Sequence, residues 1–283
     1  SEQFVNPIST GTAAHSDLRE AVLGGLLEVI ERDSIALTWL QRLRLPAVAV
    51  DPSTLGEEVA EYHRVGTSTE LETHLFDATT DYGVPTLYAV QTSQVDPELA
   101  QVVAATCDID PQRALAKIYR ELASLRIALR SHARGPRAQE IKGQDLTVVG
   151  GALADADLSM RHVFDFLLEG ERPVHALDEI GTLTASRPGA DGVGGSAGPD
   201  PLEQVVANLE RAGAEAIVVD ITTDEARQVG MHVIKALIPE AMPLSFSHHA
   251  RYLATPRLYQ APRAMGLTVH DESGINPVRQ PFA

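Results

Sequence analysis

The 283-residue chain sets 23 basic against 39 acidic residues, a formal net charge of −16, with 44% hydrophobic and 22% charged residues. That balance suits a globular chain with ample core. It also repels phosphate backbones, and with no basic groove in the sequence a nucleic-acid partner is not expected. The single cysteine, Cys107, excludes an intramolecular disulfide framework and a multi-thiolate zinc site.

The opening SEQFVNPIST has no basic flank and no apolar centre, so no secretory signal is expected there. No run reaches the roughly 18–20 apolar residues that span a bilayer, so no membrane partner is expected. Low cysteine use fits a reducing cytoplasm. Residues 16–44 read as one long helix, with Ser16 as N-cap, Glu20 in its early turns and Pro46 beyond its end. Glu28, Glu31 and Arg32 lie in it among Val22, Leu23, Leu26, Leu27 and Ile30, which predicts a helix buried nearly all round. Glu28 and Glu31 are three apart and share a face. Buried acids must be paired or must hold a cation, and Arg32 does not satisfy both. A metal site and an ordinary charged helix face are both open on this pattern. Oxygen ligands without thiolate favour Mg²⁺, which phosphates and water usually complete, so a nucleotide is its natural companion.

Residues 46–50 (PAVAV) predict a short strand, and 57–64 a short helix or an extended polar link. Residues 77–90 (DATTDYGVPTLYAV) and 220–238 (DITTDEARQVGMHVIKALI) share Asp-x-Thr-Thr-Asp, a glycine-containing turn and an apolar run. Each reads as a strand–turn–strand hairpin, and the pair suggests a sheet-based internal duplication. Their aspartates read as turn residues. Asp110-Pro111 opens a second helix to about Arg130, with a stripe of Ala114, Leu115, Ile118, Leu122, Leu125 and Leu129. Glu121 lies on it, and Lys117 at i−4 reads as its surface partner. Residues 158–169 predict an amphipathic helix and 202–212 another. Residues 187–201, RPGADGVGGSAGPDP, read as a flexible connector, because no Gly-Lys-Ser/Thr follows the glycines. Beyond Pro239 the chain reads as irregular, with His248 and His249 as polar loop residues. Nothing pairs Cys107 with a histidine in a nucleophile motif.

The stretch PISTGTAAHSDLREAVLGGLLEVIERD resembles the second conserved segment of the YcaO family: Ser-Asn-Gly-x-Ala-Ala-Gly, Glu-Ala, then Glu-x-x-Glu-Arg-Asp. ALAKIYRELASLR resembles that family's Ala-Leu-x-x-Ala-x-x-Glu-x-x-Gln-x-Arg helix. The His162 helix, AIVVDITTD, HVIKALIPEAMPLSF and the proline-containing tail at 274–283 carry the resemblance over nearly the whole chain. It implies an α+β fold, one YcaO-like domain over 1–283 with mixed and antiparallel sheets packed with helices. It implies ATP and Mg²⁺, and activation of a peptide amide. A Cys, Ser or Thr side chain attacks the preceding carbonyl, ATP phosphorylates the oxyanion, and phosphate leaves to give a thiazoline or oxazoline.

By that resemblance Glu28 and Glu31 hold Mg²⁺ and Arg32 contacts the phosphates. Glu121 and Arg126 belong to the same nucleotide site, with Thr10 and Ser124 at the family's Asn and Gln positions. Pro281 and Ala283 stand in the tail, which marks the azoline-forming branch and which proline presets as an extended segment. Implied partners are a ribosomal precursor peptide, a peptide-recognition or E1-like protein, a separate N-terminal YcaO half and a second copy of the chain. Thr10, Ser124, His15 (for Gly) and the tail depart from the pattern, and the family's upstream Ser-x-x-Glu-x-x-Glu-Arg segment is absent from the sequence. Two readings follow: an ATP-dependent azoline-forming cyclodehydratase component, with thioamidation or amidine formation as its close variant, or a degenerate domain that binds precursor peptide or scaffolds a partner.

Overall fold

The computed structural model of the chain describes residues 8–133, 148–181, 200–245 and 247–282. Strand β1 (Thr12–His15) leads into helix α1 (Leu18–Leu40). The cap is Asp17 rather than Ser16: its carboxylate accepts from the backbone N–H groups of Arg19 and Glu20 at 2.7 and 3.3 Å. Arg42 turns out of the helical path at φ 47°, so the helix stops at Leu40 and not near 44. From Ile30 to Leu40 only Arg32 escapes burial. Gly24 is exposed and Leu27, Glu28 and Val29 are half-buried, so the first half of the helix keeps an open strip that the residue pattern did not show.

Strand β2 (Ala47–Ala49), helix α2 (Glu57–Thr67), β3 (Leu71–Asp77), β4 (Thr86–Ser93) and β5 (Gln101–Cys107) follow, then α3 (Pro111–Ala133). Asp110 caps α3 through Gln112 N at 2.9 Å, with Pro111 in the first turn where its missing N–H costs nothing. After α4 (Val148–Ala154), residues 158–169 form a 3₁₀ helix at Leu158–Phe164 and one α turn, α5 (Asp165–Leu168), rather than one amphipathic helix. Strand β6 (Val174–Ala176), α6 (Pro201–Arg211), β7 (Ile217–Asp220), α7 (Asp224–Gln228), β8 (His232–Leu237) and α8 (Arg257–Ala264) complete the order. Most of the expected connector, 187–199, lies outside the described residues. Asp200 and Pro201 at its end cap and start α6. Helix α8 corrects the expectation of an irregular C-terminal stretch.

The five-stranded sheet runs β5-β4-β3-β2-β6, antiparallel except for β2 with β6. One face packs on α3 and α4, and the other on the C-terminal half of α1, α5, α8 and the tail. The three-stranded sheet β1-β8-β7 packs with α6 on the N-terminal half of α1. Helix α1 therefore lies between the two sheets, which gives the predicted α+β class.

The two Asp-x-Thr-Thr-Asp segments adopt one backbone pattern. Asp77 accepts from Thr79 N at 3.0 Å, and Asp220 from Thr222 N at 2.9 Å. Thr79 Oγ1 accepts from Thr86 N at 3.2 Å, and Thr222 Oγ1 from Val233 N at 2.9 Å. Ala78 and Ile221 N–H groups close on Thr86 and Val233 carbonyls. The second unit departs from a plain hairpin, because Thr223 caps the short helix α7 between its strands.

Candidate functional site

Glu28 and Glu31 occupy successive turns of α1, and each is fixed through one oxygen only. Gly11 N donates to Glu28 Oε2 at 3.0 Å, and Cys107 N, at the end of β5, donates to Glu31 Oε2 at 3.0 Å. Their Oε1 atoms both face Arg32, at 3.8 Å for Glu28 and 3.4 Å for Glu31. These are ion-pair contacts without hydrogen bonds. Glu31 is only 6% exposed. Burial pushes its carboxyl up, while the Lys117 ammonium and then the Arg32 guanidinium oppose that rise.

These groups line a cavity of about 330 Å³ with Gly24, Glu121, Leu125, Ala104, Ala105 and Phe282. Gly24, Glu28 and Arg32 repeat every four residues along α1, and Lys117, Glu121 and Leu125 do so along α3, so two helical stripes form facing walls. Three carboxylates and two basic groups meet there. Two carboxylates, each with one oxygen that accepts no hydrogen bond, fit a hard divalent cation. Among the described residues no group of three His, Cys, Asp or Glu is placed to hold a metal alone. A cation at Glu28 and Glu31 would therefore take its other ligands from water or phosphate, as Mg²⁺ commonly does.

The structure distributes the sequence candidates unevenly. Glu28, Glu31, Arg32 and Glu121 share the cavity. Arg126 does not join them: it is buried beneath the sheet, donating to Gln91 Oε1 at 2.6 Å, Leu99 O at 2.9 Å and Gln91 O at 3.2 Å. Its guanidinium is engaged by acceptors on β4 and in the loop before β5, away from the cavity. Ser124 is exposed on α3 and does not line the cavity. Thr10 offers its carbonyl to Lys235 Nζ at 2.5 Å, and it is the next residue, Gly11, that reaches Glu28. Pro281 borders a separate small cavity, Phe282 reaches the acidic one, and Ala283 lies outside the described residues. The i−4 spacing predicts Lys117 as a surface partner of Glu121. It stands instead 3.6 Å from Glu31 Oε2, across the cavity. Its spacing to Glu121 is the signal that could have placed it on this wall. Cys107 contributes its backbone N–H to the site, and its own thiol is buried and pushed up, which disfavours the nucleophilic thiolate.

A family model described as YcaO cyclodehydratase, ATP- and Mg²⁺-binding, matches residues 1–242. The chain belongs to the YcaO family. An uncharacterized protein of Methanothermobacter thermautotrophicus is 29% identical over 239 residues, 82% of this chain and 55% of that protein. An uncharacterized protein in the tfuA 3′ region of Rhizobium leguminosarum bv. trifolii is 35% identical over 128 residues, 42% of this chain and 30% of that protein. A heterocyclase solved in complex with substrate and cofactor superposes with a TM-score of 0.70 at 22% identity, over 99% of this chain and 34% of that one. The YcaO protein of Methanopyrus kandleri, bound with AMPPCP and Mg²⁺, gives 0.59 at 21% identity, over 84% of this chain and 57% of that one. The chain thus has a YcaO fold and spans 30% to 57% of the length of these relatives and neighbours. No helix among the described residues is long and apolar enough to cross a membrane.

Proposed function

We propose that this chain carries the acidic half of a Mg²⁺–ATP site that activates a peptide-backbone amide, giving thiazolines or oxazolines from Cys, Ser or Thr of a ribosomal precursor peptide. The observation that carries the reading is the Glu28–Glu31 pair, each acid anchored by one backbone N–H and left with its second oxygen toward a loosely held guanidinium. Bound there, ATP supplies the phosphoryl group that makes an amide oxygen a leaving group, and Mg²⁺ offsets its charge. Glu28 and Glu31 would hold the cation and Arg32 and Lys117 would face the phosphates, while Phe282 and Leu125 form the apolar side of the cavity. The seating of the proline-containing tail against this cavity supports the azoline-forming branch. A precursor peptide and a peptide-recognition protein are the partners this chemistry requires. A cytoplasmic setting suits an ATP-dependent step.

The competing reading is a peptide-binding domain without turnover, and the diversion of Arg126 to Gln91 and Leu99 is the observation in its favour. Calorimetric titration of ATP with Mg²⁺ separates the two. The wild-type chain binds nucleotide and the Glu28→Ala, Glu31→Ala double variant loses at least about tenfold in affinity, on the order of one charge-assisted contact. Binding that survives loss of both acids would remove them from the site. Absence of nucleotide binding in the wild type, with precursor peptide and partner protein added, would leave the non-catalytic reading.

A further inference from the structure

Lys117 faces the acidic cavity from α3, yet nothing ties it down. Its Nζ stands 3.6 Å from Glu31 Oε2, beyond hydrogen-bond range. That oxygen already accepts from Cys107 N at 3.0 Å. The ammonium is held there by charge alone, and its side chain keeps 40% exposure. Arg32 approaches the same carboxylate from its other oxygen at 3.4 Å, again without a hydrogen bond. Glu31 is thus neutralised from two sides by cations that can leave.

Lysine suits such a post because its ammonium is a compact charge on a flexible four-carbon stem, whereas a guanidinium locks in place through a planar fork. Glu28 and Glu31 would hold a divalent cation through the oxygens that accept no hydrogen bond, and its charge would repel the ammonium and neutralise Glu31 in its place. The released side chain still lies in the cavity wall, between Glu31 and Glu121. The negative groups then within its reach are Glu121, one turn on along the same helix, and the phosphates of a nucleotide, which carry the greater charge.

Resting on the nucleotide reading above, we propose that Lys117 is an exchangeable counter-cation, paired with Glu31 before metal arrives and transferred to a nucleotide phosphate oxygen afterwards. The exchange gives two effects of opposite sign when the ammonium is removed. Lys117→Met in the full chain binds Mn²⁺ alone about threefold to tenfold more tightly, read as free ion by electron paramagnetic resonance, because a competing positive charge is gone. The same variant binds ADP in saturating Mn²⁺ about tenfold more weakly by calorimetry, the order of one charge-assisted contact to phosphate. Lys117→Arg recovers the nucleotide affinity and not the metal gain.

A purely structural ion pair moves both affinities down together, and a passive counter-ion leaves nucleotide affinity unchanged. Either result overturns the exchange. If the wild-type chain binds no nucleotide, the nucleotide reading falls and Lys117's role falls with it. If wild type binds and Lys117→Met matches it, only the exchange is lost.

Discussion

Asp155 illustrates how much one side chain's surroundings decide. It is 2% exposed, and its Oδ2 has no hydrogen-bond partner. Gln101 Oε1, a second acceptor without a partner, borders the same cavity of about 10 Å³, which Pro281 also lines. Burial pushes the Asp155 carboxyl up to about 7, against the smaller pull of Arg279 and His162. The folded state therefore holds a proton that the unfolded chain releases near pH 4, and stability falls as pH climbs from about 4 through about 7. Asp155→Asn flattens that slope and makes the variant the more stable protein at pH 8, by up to about 4 kcal/mol. Urea unfolding of both proteins across pH 4–8 checks this, and parallel pH profiles would refute it. At this same scale sequence reasoning read Glu28 and Glu31 correctly as neighbours, because a helix fixes which residues share a face. It misplaced Arg126 and Lys117, because a long basic side chain chooses among partners that only packing supplies.

The turn before β1 and the helix after it act as a unit. Gly11 has φ 81°, and a Cβ there would meet Ala236 O at 2.2 Å. Only glycine lets this turn press onto β8 while its N–H reaches Glu28. Gly11→Ala costs about 2 kcal/mol or more in stability and loosens Glu28 in the same stroke. Thermal unfolding together with Mn²⁺ affinity measures both, and a variant unchanged in stability would show that the turn is not so constrained. Further along α1, Asp33 is fully buried and gripped by Arg257 at 2.6 and 2.7 Å and by Met242 N at 2.7 Å. Arg257 also holds Asp81 at 2.8 Å and lies 3.6 Å from the Tyr82 ring centre. This network joins α1, the first hairpin's turn and α8 one residue past Arg32. Periodicity found α1, α3 and α6 because each carries an apolar face at helical spacing. It missed β5, whose residues are all buried and so show no alternation, and it misjudged 158–169, which divides into a 3₁₀ and a one-turn helix.

Across the whole molecule the C-terminus returns to the central helix. Asn276 N donates to Leu40 O at 2.8 Å, Asn276 Nδ2 to Trp39 O at 3.1 Å, and Trp39 Nε1 to Val278 O at 3.0 Å. Phe282 then packs edge-on against Tyr88, with ring centres 5.3 Å apart, and closes one side of the acidic cavity. Phe282→Ala lowers the unfolding free energy by about 3 kcal/mol, seen as a lower denaturant midpoint at unchanged slope. An unmoved midpoint would mean that the tail does not seat on Tyr88 in solution. From its sequence alone this protein had its class, its long helices, its repeated Asp-x-Thr-Thr turns and its acid pair, since each rests on residues close together in the chain. The tertiary structure alone decided that α1 and α3 face each other across a cavity, that Cys107 and Gly11 anchor the two acids, and that Lys117 rather than Arg126 completes the basic side. Those contacts to the two acids join residues 17, 76 and 86 positions apart, and local spacing carries no record of which distant backbone N–H or ammonium a carboxylate will meet.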